Sequence, residues 1–269
     1  GTNNGNSDMI LSLDTSSTPA VTAKVLQAGS FVGTSFHVGD LSVLSGGRIF
    51  AESLTGHGAL WRPNASTPAS GNSWTDAYYW STGAEPAYQI LDLYTHEGKI
   101  YGAGSTISEP PYVFLPPRGA NKQPYEMEVV ALPNTGGWIG EMWGVAANDE
   151  RVVVVGIDQL ANVGKIFVSG ADPYAPAGYT VHDLPDIVGS GGVGTWARGV
   201  CMRGDQIVVV GERQPLGSNT GLAMRSTDGG QTFTDITPSA PGASLSKCSI
   251  RADGSVVVAG AGSFFGLYQ

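Results

Sequence analysis

The chain has 269 residues and a formal net charge of −9; only 14% of its residues are charged, while 39 are glycine. Its 14 basic residues are scattered singly, which excludes a nucleic-acid partner, because phosphate binding needs clustered Lys and Arg. No run of 18 apolar residues is present to span a membrane as a helix, and few charges with many glycines fit short strands joined by tight turns.

Residues 1–8 are polar and read as a flexible tether or a tag remnant. Met9–Asp14 and Ala20–Gln27 have strand character, and Ala28–Gly39 reads as a connector. From Asp40 onward one strand-turn-strand phrase recurs five times, as Asp40–Phe50, Leu91–Tyr101, Trp143–Val155, Arg198–Val210 and Lys247–Val258. The residues opening the second strand of each phrase are Arg48, Lys99, Arg151, Gln206 and Ser255, at intervals of 51, 52, 55 and 49. A period near fifty marks an array of equivalent units, which start near 36, 88, 141, 196 and 246.

Each unit carries four strand signals, A to D. A and B form the phrase itself, joined by turn residues such as Glu97-Gly98 and Gly204-Asp205. Strand B is a β-branched run, Val152–Val155 or Ile207–Val210, as expected of a strand covered on both faces. C follows at 58–61, 112–115, 165–169 and 222–226; D follows at 74–80, 126–132, 179–184 and 233–237. No segment shows helical periodicity, so the chain is expected to be all-β. Four antiparallel strands repeated in this way resemble the blades of a β-propeller. The resemblance implies a single five-bladed ring over 9–269. The fifth unit ends at strand C, within 263–269, so the N-terminal strand Ala20–Gln27 is expected to supply its D strand and close the ring. Met9–Asp14 reads as a second strand C for the same blade.

Cys201 and Cys248 lie on strand A of consecutive units, five and seven residues before their anchors. Equal parity would send both side chains from the same face of their sheets, which favours two buried thiols over a disulfide.

Ser226–Phe233 matches the Asp-box pattern Ser/Thr-x-Asp-x-Gly-x-Thr-Trp/Phe through Ser226, Asp228, Gly230, Thr232 and Phe233; a degraded copy begins at Ser12. The chain thus resembles Asp-box (BNR-like) propellers, distantly related to sialidases. That resemblance implies a structural turn between strands C and D, with the Asp capping the turn and the aromatic ring packing between sheets. A sialidase itself would need three arginines around a carboxylate, and only Arg198 stands at a suitable strand opening.

In propellers the D-to-A loops and strand A openings line the mouth of the ring. Here they supply His37, Trp143, Trp196, Arg198 and Lys247 as candidate ligand-binding residues. Trp side chains beside a few charged groups suit a sugar or another small polar ligand. Asp40, Asp92 and Glu141, on three successive units, are the candidate catalytic set. Their placement is similar to that in arabinanase-like five-bladed glycosidases, which divide general acid and base between carboxyls. Their registers, eight, seven and ten residues before the anchors, do not agree.

No metal is expected, since the four histidines share no short spacing and no C-x-x-C occurs. No cofactor is expected either; a calcium ion in an Asp-rich loop stays open, although no EF-hand-type loop is present. The reading is a secreted, surface-anchored (lipoprotein) or periplasmic monomer that binds a glycan or a protein without catalysis. The alternatives are a glycoside hydrolase and an assembly scaffold similar to photosystem-assembly Asp-box propellers.

Overall fold

The computed structural model describes residues 90–104, 111–122, 126–134, 140–184, 194–214, 220–238 and 244–260 with their side chains, and several further strands as backbone only. Contacts divide the chain into two compact units, 1–90 and 91–269.

The first unit holds two antiparallel sheets. β1 (Met9–Asp14) pairs with β2 (Thr22–Ala28). β3 (Val38–Val43), β4 (Ile49–Ser53), β5 (His57–Trp61) and β6 (Trp74–Tyr79) form a four-stranded meander. The second unit opens with β7 (Gln89–His96), β8 (Lys99–Ser105), β9 (Tyr112–Leu115) and β10 (Glu128–Ala131). Then come β11 (Gly140–Ala147), β12 (Val152–Asp158), β13 (Val163–Val168) and β14 (Thr180–Asp183). The next sheet is β15 (Thr195–Arg203), β16 (Gln206–Arg213), β17 (Thr220–Ser226) and β18 (Thr234–Asp235). The last is β19 (Ser244–Ile250), β20 (Val256–Ala261) and β21 (Phe265–Tyr268). Every sheet runs in chain order and antiparallel, so the four strand signals of each of the first four repeats are its four strands. No α-helix occurs among the described residues. The N-terminal strand β2 pairs with β1, and the β19–β21 sheet has three strands; the strand pairing does not show the expected closure.

The valine runs explain how sheets stack. Alternate residues of a strand leave opposite faces. Val152 and Val154 join Val113, Leu115, Met142 and Phe167 in a core between the β7–β10 and β11–β14 sheets. Val153 and Val155 point the other way, to Ile207, Val209, Leu222 and Met224 of the β15–β18 sheet. Val208 and Val210 meet Leu245, Val256 and Val258 of the last sheet. A strand covered on both faces reads as a continuous apolar run, as β12 does from Val152 to Ile157, every residue of it buried.

One irregularity repeats. In β11 Met142 pairs with Gly156 and Gly144 with Val155, so Trp143 is left over. In β15 the residue left over is Arg198, in β19 Ser246, and in β3 Gly39. Each is a β-bulge, which bends its strand and re-aims a side chain. Opposite the bulges stand Gly156, Gly211 and Gly260. A Cβ at these positions would collide with the carbonyls of Glu141, Trp196 and Ser244, so the glycine that ends each valine run is required by the close approach of the bulged strand.

Cys201 and Cys248 form a disulfide between β15 and β19, with Cα atoms 5.7 Å apart. This corrects the expectation of free thiols, and the reason lies in turn length. β15–β16 turns on two residues, between the pair Arg203 and Gln206. β19–β20 takes five, 251–255, between Ile250 and Val256. The odd count reverses the facing of β19 relative to its anchor, because a one-residue slip exchanges the two faces of a strand. Cys248 therefore faces back toward Cys201, and both pack on the core between their sheets.

The hairpin turns of successive sheets are stitched side by side. Asn148 Nδ2 donates to the carbonyl of Gly204 at 3.1 Å, and Gln206 Nε2 to that of Gly254 at 3.1 Å. Arg151 donates to the carbonyl of Gly229 at 2.6 Å and pairs with Asp205 at 3.1 Å.

Candidate ligand-binding surface

The bulges of β11 and β15 bring three of the sequence-selected residues into one stack. The Trp143 and Trp196 rings lie 5.5 Å apart, tilted at 47°. The Arg198 guanidinium sits 4.2 Å from the Trp143 centroid and 4.4 Å from that of Trp196, so a single cation covers both indoles. Such stacking is attractive because the indole face carries the negative lobe of the ring quadrupole.

Each member is held from behind. Arg198 Nη2 donates to Glu212 Oε1 at 2.7 Å, and Glu212, at the end of β16, is only 3% exposed. A buried carboxylate of this kind requires a charged partner, and Arg198 is that partner. Trp143 Nε1 donates to Glu141 Oε2 at 3.0 Å. Trp196 Nε1 donates to Asn162 Oδ1 at 2.8 Å, with Asn162 in the left-handed region at φ 55°. Trp143, Trp196 and Arg198 all remain half-buried, so the stack is part of the surface as well as part of the packing.

A second pair lies on the same set of first strands. Asp92 of β7 is buried; it accepts from the Val145 amide of β11 at 2.9 Å and from Lys247 Nζ of β19 at 2.6 Å. One carboxylate thus joins the first strands of three sheets. Lys247, selected as a ligand contact, is exposed and serves here as the counterion of Asp92, which was selected as catalytic.

The other sequence-selected residues fall as follows. Glu141 is on β11 beside Trp143, which it fixes. Asp40 is on β3 of the first compact unit, opposite Glu52. His37 lies outside the described residues. Sequence reasoning missed Glu212 and Asn162. Glu212 carried a readable signal, a lone carboxylate closing the apolar run Ile207–Gly211, whereas Asn162 sits in a turn with nothing to mark it.

The Ser226–Phe233 turn lies between β17 and β18, away from this stack in the chain. Asp228 Oδ1 accepts from the Gln231 and Thr232 amides, each at 3.0 Å, and Oδ2 accepts from the Thr232 hydroxyl at 2.6 Å. Ser226 Oγ donates to Asp228 at 2.7 Å and accepts from the Gly230 amide at 2.8 Å. The Thr232 hydroxyl and amide, then the Ser226 hydroxyl, hold the Asp228 carboxyl far below the usual carboxylate range. Gly229 and Gly230 take positive φ, 71° and 88°. Phe233 packs on the core between sheets and meets the His182 ring edge-on at 5.3 Å.

No protein-family model matches the chain, and no curated protein matches it. Among solved structures, it is similar to the extracellular domain of a protein described as a one-component system from B. thetaiotaomicron, with a TM-score of 0.52 and 10% identity. That match covers 93% of this chain and 30% of the other. The chain thus spans under a third of that relative. A looser likeness, with a TM-score of 0.43 and 10% identity, links it to an alpha-L-arabinofuranosidase from Lactobacillus brevis over 87% of this chain and 80% of that one; it bears on neither fold nor function. At such identity the first likeness speaks to architecture alone, and the chain is an all-β, propeller-like array of antiparallel sheets.

Proposed function

We propose that the chain is a secreted or surface-anchored five-bladed propeller of the Asp-box type, closed by its N-terminal strand, that binds a glycan or a protein at the ends of its first strands without turning it over. The observation that carries this reading is the Trp143–Arg198–Trp196 stack, half-exposed and fixed from behind by Glu141, Asn162 and Glu212. Rigid aromatic rings beside an arginine held in place by a carboxylate are what a sugar ring recognises, since its C–H face stacks and its hydroxyls can bond to the further N–H groups of the guanidinium. The Cys201–Cys248 disulfide supports an oxidising compartment outside the cytosol. The similarity to an extracellular domain is in keeping with that placement.

Hydrolysis by Asp40, Asp92 and Glu141 is the lesser reading. A glycosidase needs one carboxyl free to give a proton and one free to activate water or attack. Asp92 is committed to Lys247 and the Val145 amide, and Glu141 to the Trp143 indole.

A glycan array probed with the full chain, and with Trp143→Ala and Trp196→Ala, tests the proposal. The expected outcome is binding by the parent that each substitution weakens about tenfold or more, the loss of one well-packed aromatic contact. Binding indifferent to both substitutions moves the site elsewhere. Cleavage of a bound glycan by the parent, lost in Glu141→Gln, overturns the non-catalytic reading. An array without a hit leaves the protein-binding half.

A further inference from the structure

At the hairpin ends, opposite the first-strand openings, His96 and Glu97 of the β7–β8 turn meet Asp149 of the β11–β12 turn. Their nearest donor atoms (one imidazole nitrogen and two carboxylate oxygens) all lie within 4.8 Å of one another. His96 Nε2 is 3.2 Å from Asp149 Oδ1, while Glu97 reaches the same point from a left-handed backbone at φ 50°. Other neighbouring turns are joined by an amide on a carbonyl, Asn148 to Gly204 and Gln206 to Gly254, with the Arg151–Asp205 ion pair beside the first. This junction alone among those described brings three metal-ligating side chains together. Two carboxylates placed side by side on exposed turns repel each other unless a cation lies between them.

We propose that His96, Glu97 and Asp149 form a binding site for a first-row divalent cation of the zinc type, which clamps the β7–β8 turn to the β11–β12 turn. Imidazole with two carboxylates is a donor set that suits such ions, and imidazole disfavours calcium and magnesium. Asp149 also lines an adjoining hollow of about 220 Å³, shared with Lys99, Tyr101 and Tyr174. Burial first, then Tyr174, Asp149 and Glu97, push the Tyr101 phenol up to about 12. The site escapes sequence inspection because its ligands come from two hairpins 53 residues apart, and no short His or Cys spacing announces it.

The test is calorimetric titration of zinc into the full chain stripped with chelator, in parallel with melting curves. The expected result is one zinc per chain and a melting temperature that rises with zinc, as binding to the folded state requires. His96→Ala and Glu97→Gln should each weaken binding about tenfold or more, no less than loss of an outer partner of a metal ligand costs. Glu97→Gln is decisive. It leaves the His96–Asp149 contact intact and sits on an exposed turn, so its fold is expected to survive. Zinc binding unchanged in Glu97→Gln reduces the cluster to a simple His–Asp tether and overturns the proposal. No binding by the parent, or binding untouched by both variants and so owed to His37, His57 or His182, overturns it as well.

Discussion

The two ends of the strands in residues 91–269 are both polar, yet they are polar in different ways. At the hairpin ends, side chains tie neighbouring turns through the main chain, Asn148 to Gly204, Gln206 to Gly254 and Arg151 to Gly229, with the Arg151–Asp205 and His96–Asp149 pairs beside them. At the opening ends of the first strands, side chains bond to side chains: Arg198 to Glu212 and two indoles, Lys247 to Asp92, Trp143 to Glu141. A bond to a carbonyl fixes a side chain against the backbone, which cannot offer that oxygen elsewhere. A pair of side chains can come apart and re-form around a third group. The first arrangement is scaffold, and the second is what a binding surface needs.

The largest expected effect sharpens the scaffold half. The disulfide lies on the hairpin side of β15 and β19, at Cys201 opposite Val208 and Cys248 opposite Val258. Cys201→Ser with Cys248→Ser should lower the stability of the folded chain by about 2–4 kcal/mol in chemical denaturation. Ligand binding per folded molecule should be unchanged. A matching loss of affinity would mean the two ends are coupled.

The next effect addresses the opening end. Asp92→Ala removes the acceptor of the Val145 amide and the counterion of Lys247. Leaving a buried amide without a partner costs about 1–3 kcal/mol, so the midpoint of urea unfolding should fall accordingly. A neutral result would mean that Lys247 and Val145 find other partners, as the freedom to re-pair would allow.

The smallest effect is a slope. Asp228 and Asp253 both have carboxyls held below their ordinary values, Asp228 chiefly by the Thr232 hydroxyl and Asp253 by that of Ser255. A depressed folded value means stability that is complete above the unfolded value, about 4, and lost as the pH falls through the folded value. The melting temperature should therefore drop on acidification from pH ~5 to ~3. Asp228→Asn should melt lower at neutral pH and show a shallower acid limb. An unchanged limb would take Asp228 out of the acid response.

Much of the architecture is legible in the residues because each strand class has its own physical demand. A strand between two sheets must be apolar throughout, and Val152–Val155 says so. Where the bulged strands β11, β15 and β19 approach closely, a glycine stands across from them, and Gly156, Gly211 and Gly260 mark the place. What escaped was parity and partnership. The 251–255 turn is longer than the 204–205 turn by an odd number of residues, three, which reversed the facing of Cys248, and no composition signal reports the parity of a turn. Trp143, Trp196 and Arg198 were visible as candidates, but that they touch one another depends on the bulges, which no alternation pattern reveals. Asp92 and Lys247 were assigned separate roles because residues 155 apart in the chain give no hint that they neutralise each other.

The repeated bulge has a consequence for how such a chain diversifies. Gly39, Trp143, Arg198 and Ser246 occupy one position of the repeat and share no chemistry. That residue is left out of the ladder, so its identity is invisible to the pairing on either side. Mutation can therefore sample glycine, indole, guanidinium or hydroxyl there while the sheet keeps its register. The first strands β3, β11, β15 and β19 each carry such a socket, and a new specificity can arise from a few exchanges there, provided that a buried partner such as Glu212 is exchanged with its socket residue.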